Sequence, residues 1–351
     1  MTAANEANDA NETNHANQAN EDDLSAMAPG MVMMSASYLM RSALDLGLPD
    51  AVGQGPVAVP ELAEQVGAEP AALRRLLRAL VRVGMFRPVG EDAYAGTRMS
   101  ALWRTDSAST GYADFANIPW MWQLWENLTP AVRTGRTQFP DLFGKNLFDY
   151  LSEDDPESAE RFNVAMTRGL GVTNEAIAEA LDLSGVSKLV DVGGGQGTML
   201  RSLLRANPHV RGVLFDIPAA LSDVDEQLRV ELADRSEVVS GDAMVSVPAA
   251  DSYVFRTILH NWDDESCVRM LRSCAEAGGS GARVHVVEVL VPERGEVSEF
   301  AAMMDLQMFL LFGSRERTES EYAELFRRAG LSLVGSRPTS SQFSIVEARV
   351  D

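Results

Sequence analysis

Cysteine is nearly absent from this chain: its 351 residues contain two, Cys267 and Cys274. They lie seven residues apart in a helical pattern, which sets them two turns apart on one face, too far for a disulfide. They read as packed thiols in a reducing compartment, so a cytoplasmic location is expected. No run approaches the roughly 18 consecutive apolar residues of a membrane span. The N-terminus lacks the basic stretch and apolar core of a secretory signal. Histidine is scarce, with four in the chain. There is no H-x-x-x-H, no C-x-x-C and no cluster of aspartates, so no metal is expected. G-x-S-x-G and the P-loop are missing as well. Positive charge is short: 30 Lys and Arg stand against 51 Asp and Glu, a formal net charge of −21. Such a surface repels phosphate backbones and anionic lipid, which argues against nucleic acid or membrane as a partner.

What is present is a chain that is 46% hydrophobic and long enough for two domains. Residues 1–23 form an Asn/Ala/Glu tract without apolar periodicity, expected to be disordered with His15 in solvent. Residues 24–106 begin with a Met- and Ala-rich helical pattern. Two short helices follow, joined at Gly67–Pro70, with Leu73, Leu76, Leu77 and Leu80 as the stripe of the second. Past Gly84, FRPVGEDAYAGTR reads as a β-hairpin turning at Gly90–Asp92. That order is a winged helix, and Arg74, Arg75, Arg78 and Arg82 decorate its second helix. The arginines fit a DNA-binding face or a solvated, acid-paired one, and the net charge favours the latter. Residues 107–180 read as a helical connector. Its Trp120, Trp122 and Trp125 cannot share one helix face, so some pack a core and others suit a pocket for a flat ligand. A single helix is expected from Pro156 through SAERFNVAMTRGLGVTNEAIAEAL.

From residue 181 to 351 short apolar runs alternate with helical segments: KLVDVG, GVLFDIP, SEVVSGD, SYVFRTIL and ARVHVVEVLV. This predicts an α/β, doubly wound, Rossmann-like sheet of buried parallel strands. LSLVGSR and FSIVEARV read as an antiparallel pair at its edge. In such sheets ligands bind beyond the strands' carboxyl ends. The first strand, Lys188–Val192, runs into Gly193-Gly194-Gly195-Gln196-Gly197, and Thr198 breaks the G-x-G-x-x-G of dinucleotide enzymes, disfavouring a nicotinamide oxidoreductase. Asp191 sits where an ammonium group would be met. Asp216 closes the second strand, placed for ribose hydroxyls, and Asp242 closes the third, placed for an adenine amine. Together these acids describe a nucleoside ligand with a cationic tail. His260 emerges at the end of the fourth strand, in ILHNWDD, where Asp263 or Asp264 caps the next helix. Glu288, ending the fifth strand, and Glu316, in SRERT, can orient one imidazole nitrogen and leave the other free as a base.

LVDVGGGQG, LFDIP, SGDAM, YVFRTILHNWDDESC, VVEVLVPE and FGSRERTESEYAELFRRAGL, over about residues 160–346, resemble the small-molecule O-methyltransferases of plant caffeate and flavonoid metabolism and of bacterial polyketide tailoring. The winged-helix segment is similar to that family's dimerisation domain, which implies a homodimer. The resemblance implies S-adenosylmethionine as cofactor, held by Gly193, Gly195, Asp216, Asp242, Ala243 and Arg256. It makes His260 the general base, flanked by Glu288 and Glu316. Met166, Leu170, Trp262, Met304, Met308 and Phe309 fall where the family lines its substrate pocket. Methylation of a hydroxyl on a small aromatic secondary metabolite is the activity this implies. Three departures stand out: Asn261 for an aspartate, Ser314 for a glycine, and Ala243-Met244 where aromatics often cover adenine. Two other functions fit parts of the pattern. One is a tailoring enzyme that binds the cofactor but hydroxylates or decarboxylates, and the other is a ligand-sensing winged-helix transcription factor.

Overall fold

The computed structural model describes residues 21–107, 111, 115, 117–169, 171 and 173–351. Most of the tract expected to be disordered, His15 included, therefore lies outside the described residues. Its last three residues belong to a helix, Glu21–Asp45, which starts earlier than the apolar pattern at Leu24 indicates. The described chain divides into two compact units, up to Thr110 and from Gly111 onward.

In the first unit Pro70 opens the helix Pro70–Arg82, and Glu69 caps it by accepting from the Ala71 and Ala72 amides at 2.9 and 2.6 Å. Leu73, Leu77 and Leu80 on its inner face join Leu48, Leu62 and Phe86 in one core. Strands β1 (Val57–Ala58), β2 (Phe86–Val89) and β3 (Ala93–Gly96) form an antiparallel sheet in the order β1-β3-β2. The hairpin is the one anticipated, and β1 is an addition too short to leave an alternation. Arg74 grips Asp92 of the hairpin turn through two bonds of 2.7 and 2.8 Å, so this arginine is paired with an acid. The long helix leaves Met27, Met31, Met34 and Tyr38 exposed at 61, 65, 81 and 60%, a stripe spaced four, three and four residues apart.

The second unit is built on a seven-stranded sheet, β4 (Lys188–Val192), β5 (Arg211–Asp216), β6 (Ser236–Ser240), β7 (Ser252–Arg256), β8 (Arg283–Glu288), β9 (Leu331–Pro338) and β10 (Ser344–Val350). Its order is β6-β5-β4-β7-β8-β10-β9, with β4 through β8 parallel. The last two strands form the antiparallel pair expected at the sheet edge: β10 lies between β8 and β9 and is antiparallel to both, so β9 is the outermost strand on that side. β9 alternates exposed and half-buried residues after a buried Leu331, whereas β10 is buried along most of its length. Strand order reverses between β4 and β7, the place where an open sheet leaves a crevice. Helices Asp264–Gly278 and Glu319–Ala329 cover one face, and Asn174–Ala180 and Thr198–Ala206 the other. Cys267 and Cys274 are free, buried thiols of the first of these helices.

The connector packs its own aromatic core around Phe115, Trp120, Phe139 and Leu124, and helix Glu299–Phe312 contributes Met308, Leu310 and Leu311. The single helix expected after Pro156 is interrupted. It runs as Pro156–Val164, a π turn at Ala165–Gly169, and then Asn174–Ala180. Gly111 packs against the break so closely that a Cβ there would sit 2.7 Å from the Ala165 Cα. A π turn widens the helix by one residue and re-aims its side chains, here Met166.

Candidate active site

The loop after β4 is shaped by residues that no larger side chain could replace. Gly193 has φ +72°, and a Cβ there would meet the Ile258 side chain at 2.5 Å. Gly195 has φ +54° and open space in front of it, so its backbone is presented to a ligand. Asp216, at the end of β5, fixes the loop by accepting from the Gly195 amide at 2.8 Å while its other oxygen takes the Ile217 amide at 2.7 Å. Burial raises the Asp216 carboxyl above its usual range, and those two amides oppose the shift. Asp191 is wholly buried one strand over, and one of its oxygens lacks a hydrogen-bond partner. Burial lifts it to about 7, Arg256 pulls it back and Asp216 adds to the rise. An orphaned buried carboxylate beside an open glycine turn fits a ligand that brings a cation.

Asp242 lies two residues beyond the end of β6, a small shift from the expected strand terminus. It is exposed, and its side chain accepts from the Met244 amide at 2.8 Å, while Ala243 packs half-buried beside the core. Arg256, at the end of β7, donates to the Thr173 hydroxyl at 2.7 Å and to the Asn174 side-chain Oδ1, and its guanidinium lies over the Phe343 ring at 5.6 Å. Asn174 in turn reaches Thr198, the first residue of the helix after the glycine loop. In this arrangement Arg256 ties β7 to the two helices that frame the crevice.

His260 sits on a turn, Leu259–Asn261, entered through Thr257, whose φ of +51° is the one positive value among the described non-glycine residues. Glu288 and Glu316 both address the same nitrogen, Nδ1, at 3.4 and 2.8 Å. All three side chains are buried. The second Glu288 oxygen accepts from the Ile258 and Leu259 amides at 3.0 Å each, so this carboxylate shapes the turn as well as the ring. Asn261 donates to the Thr257 carbonyl at 3.1 Å, a bond that an ionised aspartate could not make and that accounts for one departure from the family pattern. Burial disfavours the imidazolium, but Glu288 and then Glu316 outweigh it and push His260 up to about 9. Burial likewise raises Glu288, so the protons belong to the cluster as a whole. These three residues are also a set, among those described, whose ligand atoms lie within 4.8 Å of one another. The 2.8 Å separation of Nδ1 and Glu316 Oε1 is that of a hydrogen bond, shorter than the roughly 3.3 Å edge of a tetrahedral site with bonds of about 2.0–2.1 Å.

Beside this cluster the rings of Trp262, Phe148 and Phe312 stack. Phe148 lies 6.4 Å from Trp262 at 23° and 5.3 Å from Phe312 at 27°. Met304, Met308, Phe309 and Met166 pack in the connector's core, whose Phe162 and Phe312 also meet the Phe148 ring. Leu170 lies outside the described residues. Phe148 escapes sequence reasoning because it sits in no motif, and Phe312 opens the FGSRERT stretch but carries no role there. Arg317 was visible in SRERT but carried no role there.

The family model for an O-methyltransferase domain matches residues 125–332, and that for an O-methyltransferase dimerisation domain matches residues 31–106. The mitomycin biosynthesis 6-O-methyltransferase of Streptomyces lavendulae is 38% identical over 313 residues, 88% of this chain and 89% of that protein. The structure of the mitomycin 7-O-methyltransferase MmcR superposes with a TM-score of 0.83 at 35% identity, covering 93% of this chain and 98% of that one. An O-methyltransferase of neocarzinostatin biosynthesis, solved with S-adenosylmethionine and 2-hydroxy-5-methyl naphthoic acid, gives 0.76 at 32% identity over 90% of this chain and 96% of that one. Both units of the fold are thus accounted for by one lineage, and the chain belongs to the O-methyltransferase family.

Proposed function

We propose that this protein methylates a hydroxyl of a small aromatic secondary metabolite, with S-adenosylmethionine as donor and His260 as general base. The observation that carries the reading is the convergence at the sheet's switch point of an open glycine turn with buried acids and an imidazole backed by two carboxylates. Gly193, Gly195 and Asp216 would hold the cofactor's backbone and ribose, Asp191 would meet its ammonium end, and Asp242 with Ala243 would border the base. Arg256 would act through Thr173 and Asn174 rather than by direct contact. When bound, S-adenosylmethionine supplies an electrophilic methyl carbon, and its sulfonium becomes a neutral thioether on transfer.

Because both carboxylates take Nδ1, Nε2 is the nitrogen left to accept the substrate proton. The imidazolium formed is then held by Glu288 and Glu316 until the proton leaves to solvent. A phenol of pKa about 10 is mostly un-ionised at neutral pH, so a base raised toward that value makes the transfer closer to balanced. The stack of Trp262, Phe148 and Phe312 suits a planar ring, and the methionines around it adapt to its outline. Incubation with methyl-labelled cofactor and a panel of phenols tests the reading. Label should appear in a product heavier by one methylene, whereas a hydroxylated or decarboxylated product would overturn it.

The same cluster sets a pH profile. His260 must lose its proton before it can act, so kcat/KM should rise with pH and level near 9. Glu316→Gln removes one of the charges that holds the proton, so the plateau should begin at least ~1 pH unit lower. An unchanged profile would detach Glu316 from the base. The protein is further proposed to act as a homodimer through its dimerisation domain, whose exposed Met27, Met31, Met34 and Tyr38 form an apolar stripe of the kind that a partner covers. Among the described residues no helix is long and apolar enough to cross a membrane. The two buried thiols fit a cytoplasmic enzyme and the net charge of −21 one that does not bind nucleic acid, while the 2.8 Å contact of His260 with Glu316 fits a hydrogen bond better than a metal site.

A further inference from the structure

The turn that bears His260 makes few of the bonds that hold it. Its amide side is fixed by Glu288, through Ile258 and Leu259. Its carbonyl side is held partly by the Cys267 thiol, which donates to the Leu259 and Trp262 carbonyls at 3.2 and 3.6 Å, and for the rest by a short segment from elsewhere in the chain. Arg317 Nη1 donates to the Leu259 carbonyl at 3.0 Å, and Nη2 donates to the Trp262 carbonyl at 2.8 Å. The Ser314 hydroxyl donates to the carbonyl of His260 itself. Between them, Glu316 holds the ring. Three residues of the Ser314–Arg317 segment thus bind the main chain before, at and after the base, together with its side chain.

Arg317 is the unusual member. Its side chain is 1% exposed, and its remaining contacts are Nε and Nη2 to Asp264 Oδ1 at 3.1 and 2.7 Å. A buried guanidinium is costly unless its donors are met, and its rigid fork fixes whatever it binds. The segment is anchored in its own right: the Arg317 carbonyl accepts from Val291 at 3.1 Å and the Glu316 amide donates to Asp305 at 2.9 Å. The strained Thr257 just upstream is the kind of backbone that persists only where its surroundings hold it.

We infer that Ser314 and Arg317 are positioning residues that clamp the Leu259–Trp262 turn and set the aim of the His260 ring toward the substrate hydroxyl. The inference rests on His260 being the base. Ser314, which stands where the resembling family usually has glycine, adds to the clamp a bond that glycine cannot make. The charged and titratable groups around the turn are Glu288 from β8, Glu316 and Arg317 from the clamp, Asp264 and Cys267 from helix Asp264–Gly278, and Tyr322 from helix Glu319–Ala329. Arg317 is the cation among these, and it opposes protonation of the imidazole.

The test compares Arg317→Lys, Arg317→Met and Ser314→Gly in the full-length protein, measuring kcat, cofactor affinity by calorimetry, thermal midpoint and the pH profile of kcat/KM. A misaimed base costs on the order of ten- to a hundredfold for sub-ångström to ångström errors. Arg317→Met should therefore lower kcat by about that much, with cofactor Kd within about twofold, and should move the plateau of kcat/KM to higher pH. Arg317→Lys should restore the pH of the plateau but not kcat, because it returns the charge without the fork. Ser314→Gly should cost about threefold in kcat alone. Should Arg317→Met fail to fold, the lysine and glycine variants decide. Wild-type kcat in those variants, or a loss of kcat matched by an equal loss of cofactor affinity, would overturn the clamp. Full activity of His260→Ala would instead overturn the reading beneath it.

Discussion

His260→Ala should lower kcat by ~10²–10⁴-fold and leave the affinity for S-adenosylmethionine unchanged within about twofold. The size follows from the role proposed for the imidazole: it would remove the proton of a weakly acidic hydroxyl and share the resulting charge with Glu288 and Glu316, which both approach its Nδ1. The floor follows from what remains, since the crevice still brings donor and acceptor together and alignment alone is worth several orders of magnitude. The silence in cofactor binding follows from position. His260 lies beyond β7, whereas Asp216 and the glycine turn lie beyond β5 and β4. Kinetics and calorimetry on the same preparation check both halves.

Asp216→Ala should give the opposite pattern, weakening cofactor binding by at least ~10²-fold while the pH profile of the remaining activity stays that of the wild type. Charge-assisted hydrogen bonds contribute about 1.5–3 kcal/mol each. Asp216 makes two of them to backbone in the free protein, to Gly195 and Ile217. Its removal therefore unshapes the turn that presents Gly195 as well as deleting the proposed partner for the ribose. Asp216→Asn, which can accept only one of the two bonds, should fall between. A cofactor Kd unmoved by Asp216→Ala would place the nucleoside elsewhere.

The parts of this site legible in sequence were those whose signal is local. Lys188–Val192 reads as a strand because Leu189, Val190 and Val192 make a short, largely β-branched apolar stretch, and the glycines behind it mark a turn, at which a side chain on Gly193 would strike Ile258. Glu288 and His260 are likewise placed by strand ends. What stayed hidden depends on distant neighbours. Nothing in KNLFDYL tells that Phe148 will lie between Trp262 and Phe312. The apolar period across Ala165 continues unbroken, and only the close approach of Gly111 goes with the π turn there. Arg256 ends a central strand next to the crevice, which makes it look like a ligand contact. Its bonds to Thr173 and Asn174, more than eighty positions earlier, leave no local signal in the sequence. The order of β9 and β10 could not be read from their spacing, because a hairpin at a sheet edge can dock by either strand.

The most direct measurement of the central claim uses the acidity of the acceptor. Turnover of His260→Ala should be compared with wild type on two phenols of similar shape, one ionised at the assay pH and one with a pKa near ~10. If the imidazole is there to take a proton, the variant should be nearly as fast as wild type on the ionised phenol and ~10²-fold or more slower on the other. Equal impairment on both would show that His260 serves something other than proton removal, and equal activity on both would remove it from the reaction.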